Sequence, residues 1–205
     1  MSQFIESIKV ENQEAFLLDF HQKRVNETFS HFGKEGSIDV EKIFKNLGLD
    51  EDGLFKLRIV YDLEKNFRTQ LIPYAIPEIH HFQLVENNNF DYSFKFEDRK
   101  EFDKMKAKSK AEEIIIVKNN HITDTSFSNL LFRKGKDWFT PKTFLLNGVM
   151  RQNLLKNKKI KETEITLQNI KEFSYFQIIN AMNDFDETFI YPIEKIDNLD
   201  SFPKI

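Results

Sequence analysis

Thr123-Asp124-Thr125-Ser126-Phe127-Ser128-Asn129, followed by Thr140-Pro141 and then by Leu146-Asn147-Gly148-Val149-Met150-Arg151, is the stretch on which the reading of this chain turns. Apolar residues in short period-two runs predict strands near 121–126, 128–133 and 137–140, and the residues after Gly148 take a helical spacing over about 149–157. Upstream lie a strand over 112–118, the turn Asn119-Asn120, and a lysine-rich helix over about 97–109 that follows Tyr92-Ser93-Phe94-Lys95. Downstream come a short helix near 167–173 and the buried strand Tyr175-Phe176-Gln177-Ile178-Ile179, which runs into a polar turn at Asn180.

The first part of the chain has its own pattern. Residues 4–10 and 14–18 predict a hairpin, and Asp19 is placed to cap a helix over about 20–32 that Gly33 stops. A second helix over about 38–47 follows Ser37 and ends at Gly48. Three strands then follow at 54–63, 67–74 and 78–86. The polar run Glu86-Asn87-Asn88-Asn89 reads as a linker, which gives an α+β chain with a small lobe at 1–86 and a larger one at 87–205.

Composition narrows the chemistry. With 205 residues, 40% hydrophobic and 31% charged, the chain can bury a core and is globular rather than disordered. The 22 Phe residues are read as core. No apolar run approaches the roughly 20 residues that span a bilayer, and Ser2-Gln3-Phe4-Ile5-Glu6 does not open a secretory signal, so a cytoplasmic protein is expected. Without Cys there is no disulfide scaffold, Cys-ligated metal or thiol nucleophile. A net charge of -3 supplies no field for nucleic acid or an anionic membrane. Glycine-rich phosphate loops, a Gly-x-Ser-x-Gly elbow and a His-Glu-x-x-His pair are all missing from the sequence. His80-His81 occupies adjacent positions of a strand pattern, so the rings point apart and no metal site is expected.

The order His21-Gln22-Lys23-Arg24, Lys95-Phe96-Glu97-Asp98-Arg99, Thr123-Asp124-x-Ser126-x-Ser128-Asn129, Thr140-Pro141 and Leu146-x-Gly148-x-x-Arg151 resembles the class IV aminotransferases. These are the fold type IV enzymes of pyridoxal phosphate, among them branched-chain aminotransferases, D-amino acid aminotransferase and 4-amino-4-deoxychorismate lyase. The resemblance runs from about residue 4 to 193 and implies their two-lobed fold, with the N-terminal strands abbreviated.

Pyridoxal phosphate is its own electron sink, so the protein must tether it, orient it and tune its ring. The resemblance gives each task to a residue. Lys95 forms the aldimine and moves the proton at the substrate Cα, and its neighbours Phe94 and Phe96 are suited to desolvating it. Asp124 stands where the family usually has glutamate and faces the pyridine nitrogen with a side chain one methylene shorter. The start of the helix after Gly148 offers the amides of Val149 and Met150 to the phosphate, Leu146 packs on the ring, and Arg24 supplies the cation. Ser128 and Asn129 shape the turn beside the cofactor, and Asn180 is a further phosphate-side contact. The plainer alternatives are a turn aspartate for Asp124, a salt-bridged helix arginine for Arg24 and a surface lysine for Lys95.

Substrate residues are less marked. Arg58 is a candidate for a substrate carboxylate and Tyr92 for the wall of the cleft. Lys100 replaces the tyrosine of branched-chain aminotransferases, which points toward the lyase and D-amino acid branch. The implied activity is aminotransfer, or the elimination that releases pyruvate from aminodeoxychorismate, on a small amino acid or keto acid and in a homodimer. The alternative is a non-catalytic relative that keeps the fold as a binding or regulatory module.

Overall fold

A computed structural model describes residues 2–186 and 189–203. The chain forms two units, one made of the residues up to Ile76 together with Phe94–Asp98, the other of Pro77–Ser93 and the residues from Arg99 onward. This division departs from the expected one at residue 86. Residues 82–86 pair in parallel with 113–117 and so belong with the second unit. The expected linker is a turn inside that unit, where the Asn87 amide donates to the Val117 carbonyl and the Asn119 amide to the Asn88 side chain.

In the first unit, β1 (Phe4–Glu11), β2 (Glu14–Ala15), α1 (Leu18–His31), α2 (Val40–Lys45), β3 (Leu54–Tyr61) and β4 (Phe67–Pro73) follow one another. The strands make an antiparallel sheet in the order β2-β1-β3-β4. Alternation along β1 places Phe4, Glu6, Ile8 and Val10 opposite Tyr61, Ile59, Leu57 and Phe55. Phe4, Ile8 and Val10 join Leu57, Ile59 and Tyr61 in a core shared with Val25 and Phe29 of α1 and Val40 and Ile43 of α2. Burying such side chains contributes roughly 1.5–3 kcal/mol each.

The start of α1 differs from expectation. Leu17, in a left-handed conformation, is the residue before the helix, and Asp19 sits in the first turn, where its charge suits the positive end of the helix. Residues 94–98 lie against β1, with the Ile5 amide donating to the Lys95 carbonyl (2.9 Å) and the Glu97 amide to the Gln3 carbonyl (2.8 Å). This holds Glu97 and Asp98 out of the helix expected from 97.

The second unit contains β5 (Phe82–Glu86), α3 (Lys100–Lys106), β6 (Glu113–Lys118), β7 (His121–Thr125), β8 (Asn129–Lys134), β9 (Asp137–Pro141), α4 (Val149–Lys156), β10 (Lys161–Thr163), β11 (Tyr175–Ile179) and β12 (Ile190–Pro192). The sheet order is β10-β9-β8-β7-β6-β5, and β11 pairs with both β8 and β12. The short helix expected near 167–173 is a single 3-10 turn at Ile170–Glu172. Phe82, Leu130, Phe132, Phe176 and Ile178 are at the centre of the core. Among the described residues, no helix is long and apolar enough to cross a membrane.

Candidate functional site

In the second unit β7 and β8 are joined by a tight turn in which the Thr125 amide donates to the Ser128 carbonyl (2.8 Å), and Asp124 is directly opposite Asn129. The Asn129 Nδ2 group donates both to Asp124 Oδ1 (2.7 Å) and to the Leu146 carbonyl (2.8 Å). Asp124 Oδ2 accepts from the Leu145 and Leu146 amides at 2.9 and 3.0 Å. One carboxylate and one carboxamide therefore fasten the loop that leads into α4.

Gly148 is needed where that loop meets the turn. Its φ of -63° suits any residue, but a methyl group on it would lie 3.2 Å from Asn129 Cγ and closer still to Oδ1. The constraint is close approach rather than backbone conformation. Gly148 is also the N-cap of α4 and has no side chain to cap the helix, whose first N–H groups lack intrahelical partners. Val149 and Met150, both buried, carry these groups. Arg151 braces the same loop by donating to Asn147 Oδ1 (3.0 Å) and the Pro141 carbonyl (3.1 Å) and pairing with Glu162 (2.5 Å). Asn180, after β11, donates to Ser128 Oγ (2.8 Å). The structure thus brings Asp124, Ser128, Asn129, Leu146, Val149, Met150 and Asn180 into one neighbourhood of the second unit.

Burial pushes the Asp124 carboxyl up to about 6, against the opposing effect of the Leu146, Asn129 and Leu145 hydrogen bonds and the Arg151 charge. Each carboxylate oxygen has two lone pairs. Oδ2 uses both on backbone amides, whereas Oδ1 uses one on Asn129 and, among the described residues, keeps one. That remaining acceptor suits a single N–H donor such as a protonated pyridine nitrogen, and the uncapped start of α4 suits a phosphate. The residues present therefore fit pyridoxal phosphate.

The first unit carries Lys95 and Arg24. Lys95 is half-buried, and its neighbours Phe94 and Phe96 pack on the aromatic cluster around Phe4. Arg24, on α1, is nearly buried and grips the Glu6 carboxylate through Nε (2.9 Å) and a second nitrogen. His21 Nδ1 reaches the same carboxylate at 2.5 Å. Burial alone would raise the Glu6 carboxyl, but the Arg24 charge and the His21 hydrogen bond outweigh it and bring it to about 2. Burial also lowers the His21 pKa, so the ring is neutral at neutral pH. The sequence reading did not select Glu6, although its signal is visible as one acidic residue on the inward side of an otherwise apolar alternation.

The two substrate candidates fall one in each unit. Arg58 on β3 pairs with Glu97 (2.6 Å), which Arg68 also holds (2.7 Å). Tyr92 is buried in the second unit, edge-on to Phe102 at 4.7 Å and stacked on Phe90 at 6.0 Å. His81 pairs with Asp197 (3.1 Å), an ordinary surface contact.

The model of the family described as "Amino-transferase class IV" matches residues 3–196 of this sequence. The chain belongs to the class IV aminotransferases. An uncharacterised protein of Haemophilus influenzae is 33% identical to this class IV chain over 187 residues, spanning 89% of it and 99% of the relative. The crystal structure of a candidate 4-amino-4-deoxychorismate lyase from Haemophilus somnus 129PT is 32% identical, with a TM-score of 0.84 over 90% of this chain and 98% of its own. That of a candidate amino-acid aminotransferase from Mesorhizobium loti, 16% identical with a TM-score of 0.77 over 94% and 98%, shares the fold of this class IV chain.

Proposed function

We propose that this class IV protein is a pyridoxal-phosphate enzyme that releases pyruvate and p-aminobenzoate from 4-amino-4-deoxychorismate. The observation that carries the cofactor assignment is Asp124, a buried carboxylate with one acceptor position left, tied by hydrogen bonds to the loop that starts α4. The preference for elimination over transfer rests on the 32% identity with the Haemophilus somnus protein across nearly its whole length.

When bound, pyridoxal phosphate supplies the electron sink that makes a proton on the substrate Cα removable. The chain supplies the rest. Lys95 Nζ would tether the cofactor and, when free, would take the proton from the substrate Cα. Asp124 Oδ1 would accept from the ring nitrogen and stabilise its protonated form, a charge that would in turn favour ionised Asp124. The Val149 and Met150 amides, Arg24 and Asn180 would be the groups that hold the phosphate, and Leu146 would pack on the ring.

The test is the purified protein with pyridoxal phosphate, its absorption followed in wild type and Lys95→Ala, and its products assayed separately. A visible band that Lys95→Ala abolishes, with p-aminobenzoate and pyruvate formed from aminodeoxychorismate, is expected. Keto-acid-dependent amino transfer without p-aminobenzoate would move the assignment to aminotransfer. Cofactor uptake with neither reaction would leave a binding module, and no uptake would overturn the cofactor assignment.

A further inference from the structure

Glu6 is a buried charge for which the mechanism above has no use. It sits at an inward position of β1, fully buried, and receives both the Arg24 guanidinium and the His21 ring. A bidentate carboxylate fixes the plane of a guanidinium as well as neutralising it. Because Glu6 is ionised and accepts only, the proton at His21 Nδ1 must belong to the ring, which makes Nε2 the lone-pair nitrogen. That Nε2 atom is itself buried and has no hydrogen-bond partner among the described residues. Glu6 therefore orders two side chains of α1 at once, one of them the proposed phosphate cation.

We propose that Glu6 is the positioning residue of the phosphate subsite, fixing the plane of the Arg24 guanidinium and holding His21 as its Nδ1–H tautomer. This rests on the reading of Arg24 as the phosphate cation. A negative charge behind the arginine weakens its pull on an anion, so Glu6 helps only through geometry. An arginine held in one orientation meets the phosphate without first giving up its rotamer freedom. In Glu6→Gln an amide N–H₂ faces the guanidinium N–H groups, and donor against donor turns the arginine away.

Dissociation constants of the full chain for pyridoxal phosphate and for pyridoxal, which lacks the phosphate, test this. Glu6→Gln is expected to weaken pyridoxal phosphate about tenfold, the low end of the loss on removing an orienting partner, and to leave pyridoxal unchanged. Equal weakening of both, no weakening, or tighter binding of pyridoxal phosphate overturns the proposal. Arg24→Gln separates it from the reading beneath it. If Arg24→Gln leaves the preference for the phosphorylated form intact, Arg24 is not the phosphate cation, whereas if it removes the preference and Glu6→Gln does not, only the role of Glu6 fails. Should Glu6→Gln not fold, ¹⁵N spectra of histidine-labelled wild type decide. A neutral His21 with its proton on Nδ1 supports the proposal, and an Nε2–H tautomer or a doubly protonated ring at neutral pH overturns it.

Discussion

Replacing Gly148 by alanine probes the joint between the β7–β8 turn and α4. The added methyl would meet the Asn129 carboxamide, which is buried and donates to both Asp124 Oδ1 and the Leu146 carbonyl. The side chain has to move, and both hydrogen bonds go with it. One bond is to a carboxylate and the other to a carbonyl, so the loss is about 2 to 4 kcal/mol. For a chain of this length that is a fall in Tm of about 5 to 15 °C. Thermal unfolding of wild type, Gly148→Ala, Asn129→Ala and the double variant measures it. With Asn129 already shortened, the methyl has room, and adding Gly148→Ala is expected to cost under about 1 kcal/mol, the penalty of alanine against glycine at an N-cap. A Gly148→Ala protein that melts with wild type, or a double variant whose losses simply add, would refute the close-contact argument.

Two further predictions concern buried carboxylates. Asp124 ionises near 3.8 in an unfolded chain and near 6 when folded. Between those values the folded protein binds more protons, so stability falls as pH rises, by about 3 kcal/mol in all; urea unfolding of the cofactor-free protein from pH 4 to 7 should show this slope in wild type and lack it in Asp124→Asn, and parallel curves would contradict it. Glu113, almost fully buried at the start of β6, accepts from the Ser126 and Ile114 amides at 2.9 and 3.0 Å and pairs with Lys106. Glu113→Ala leaves those amides without an acceptor and is expected to cost about 2 to 4 kcal/mol, read as a shift in urea midpoint, and a change below about 1 kcal/mol would show that water replaces the carboxylate.

The local elements were legible because their signals are local. The alternation of 54–61, the turn between β7 and β8 and the helical run after Gly148 all lie within a few residues, and the structure keeps each of them. What depended on distant pairing was not legible. Nothing within 78–86 reveals that β5 adds in parallel to β6, so a run of asparagines read as a boundary is an internal turn. Asp19 lost the cap position because Leu17 takes the left-handed conformation, which its residue type does not advertise. The motif singled out Asp124, but its three donors come from Asn129 and a loop twenty residues on, and only the folded register brings them there. Arg58 carried no sign that Glu97 would engage it from another part of the chain.

The return of residues 94–98 to the first unit bears on how the protein is made. A fragment ending at Ile76 would contain all four strands of the smaller sheet and both its helices, yet would lack the backbone that pairs with Phe4 and the two phenylalanines that close the aromatic cluster. On the ribosome the smaller unit cannot be finished until β5 and the turn after it, which belong to the other unit, have already been translated. Its last piece includes Lys95, so completion of that core and the placing of this lysine are one event in synthesis.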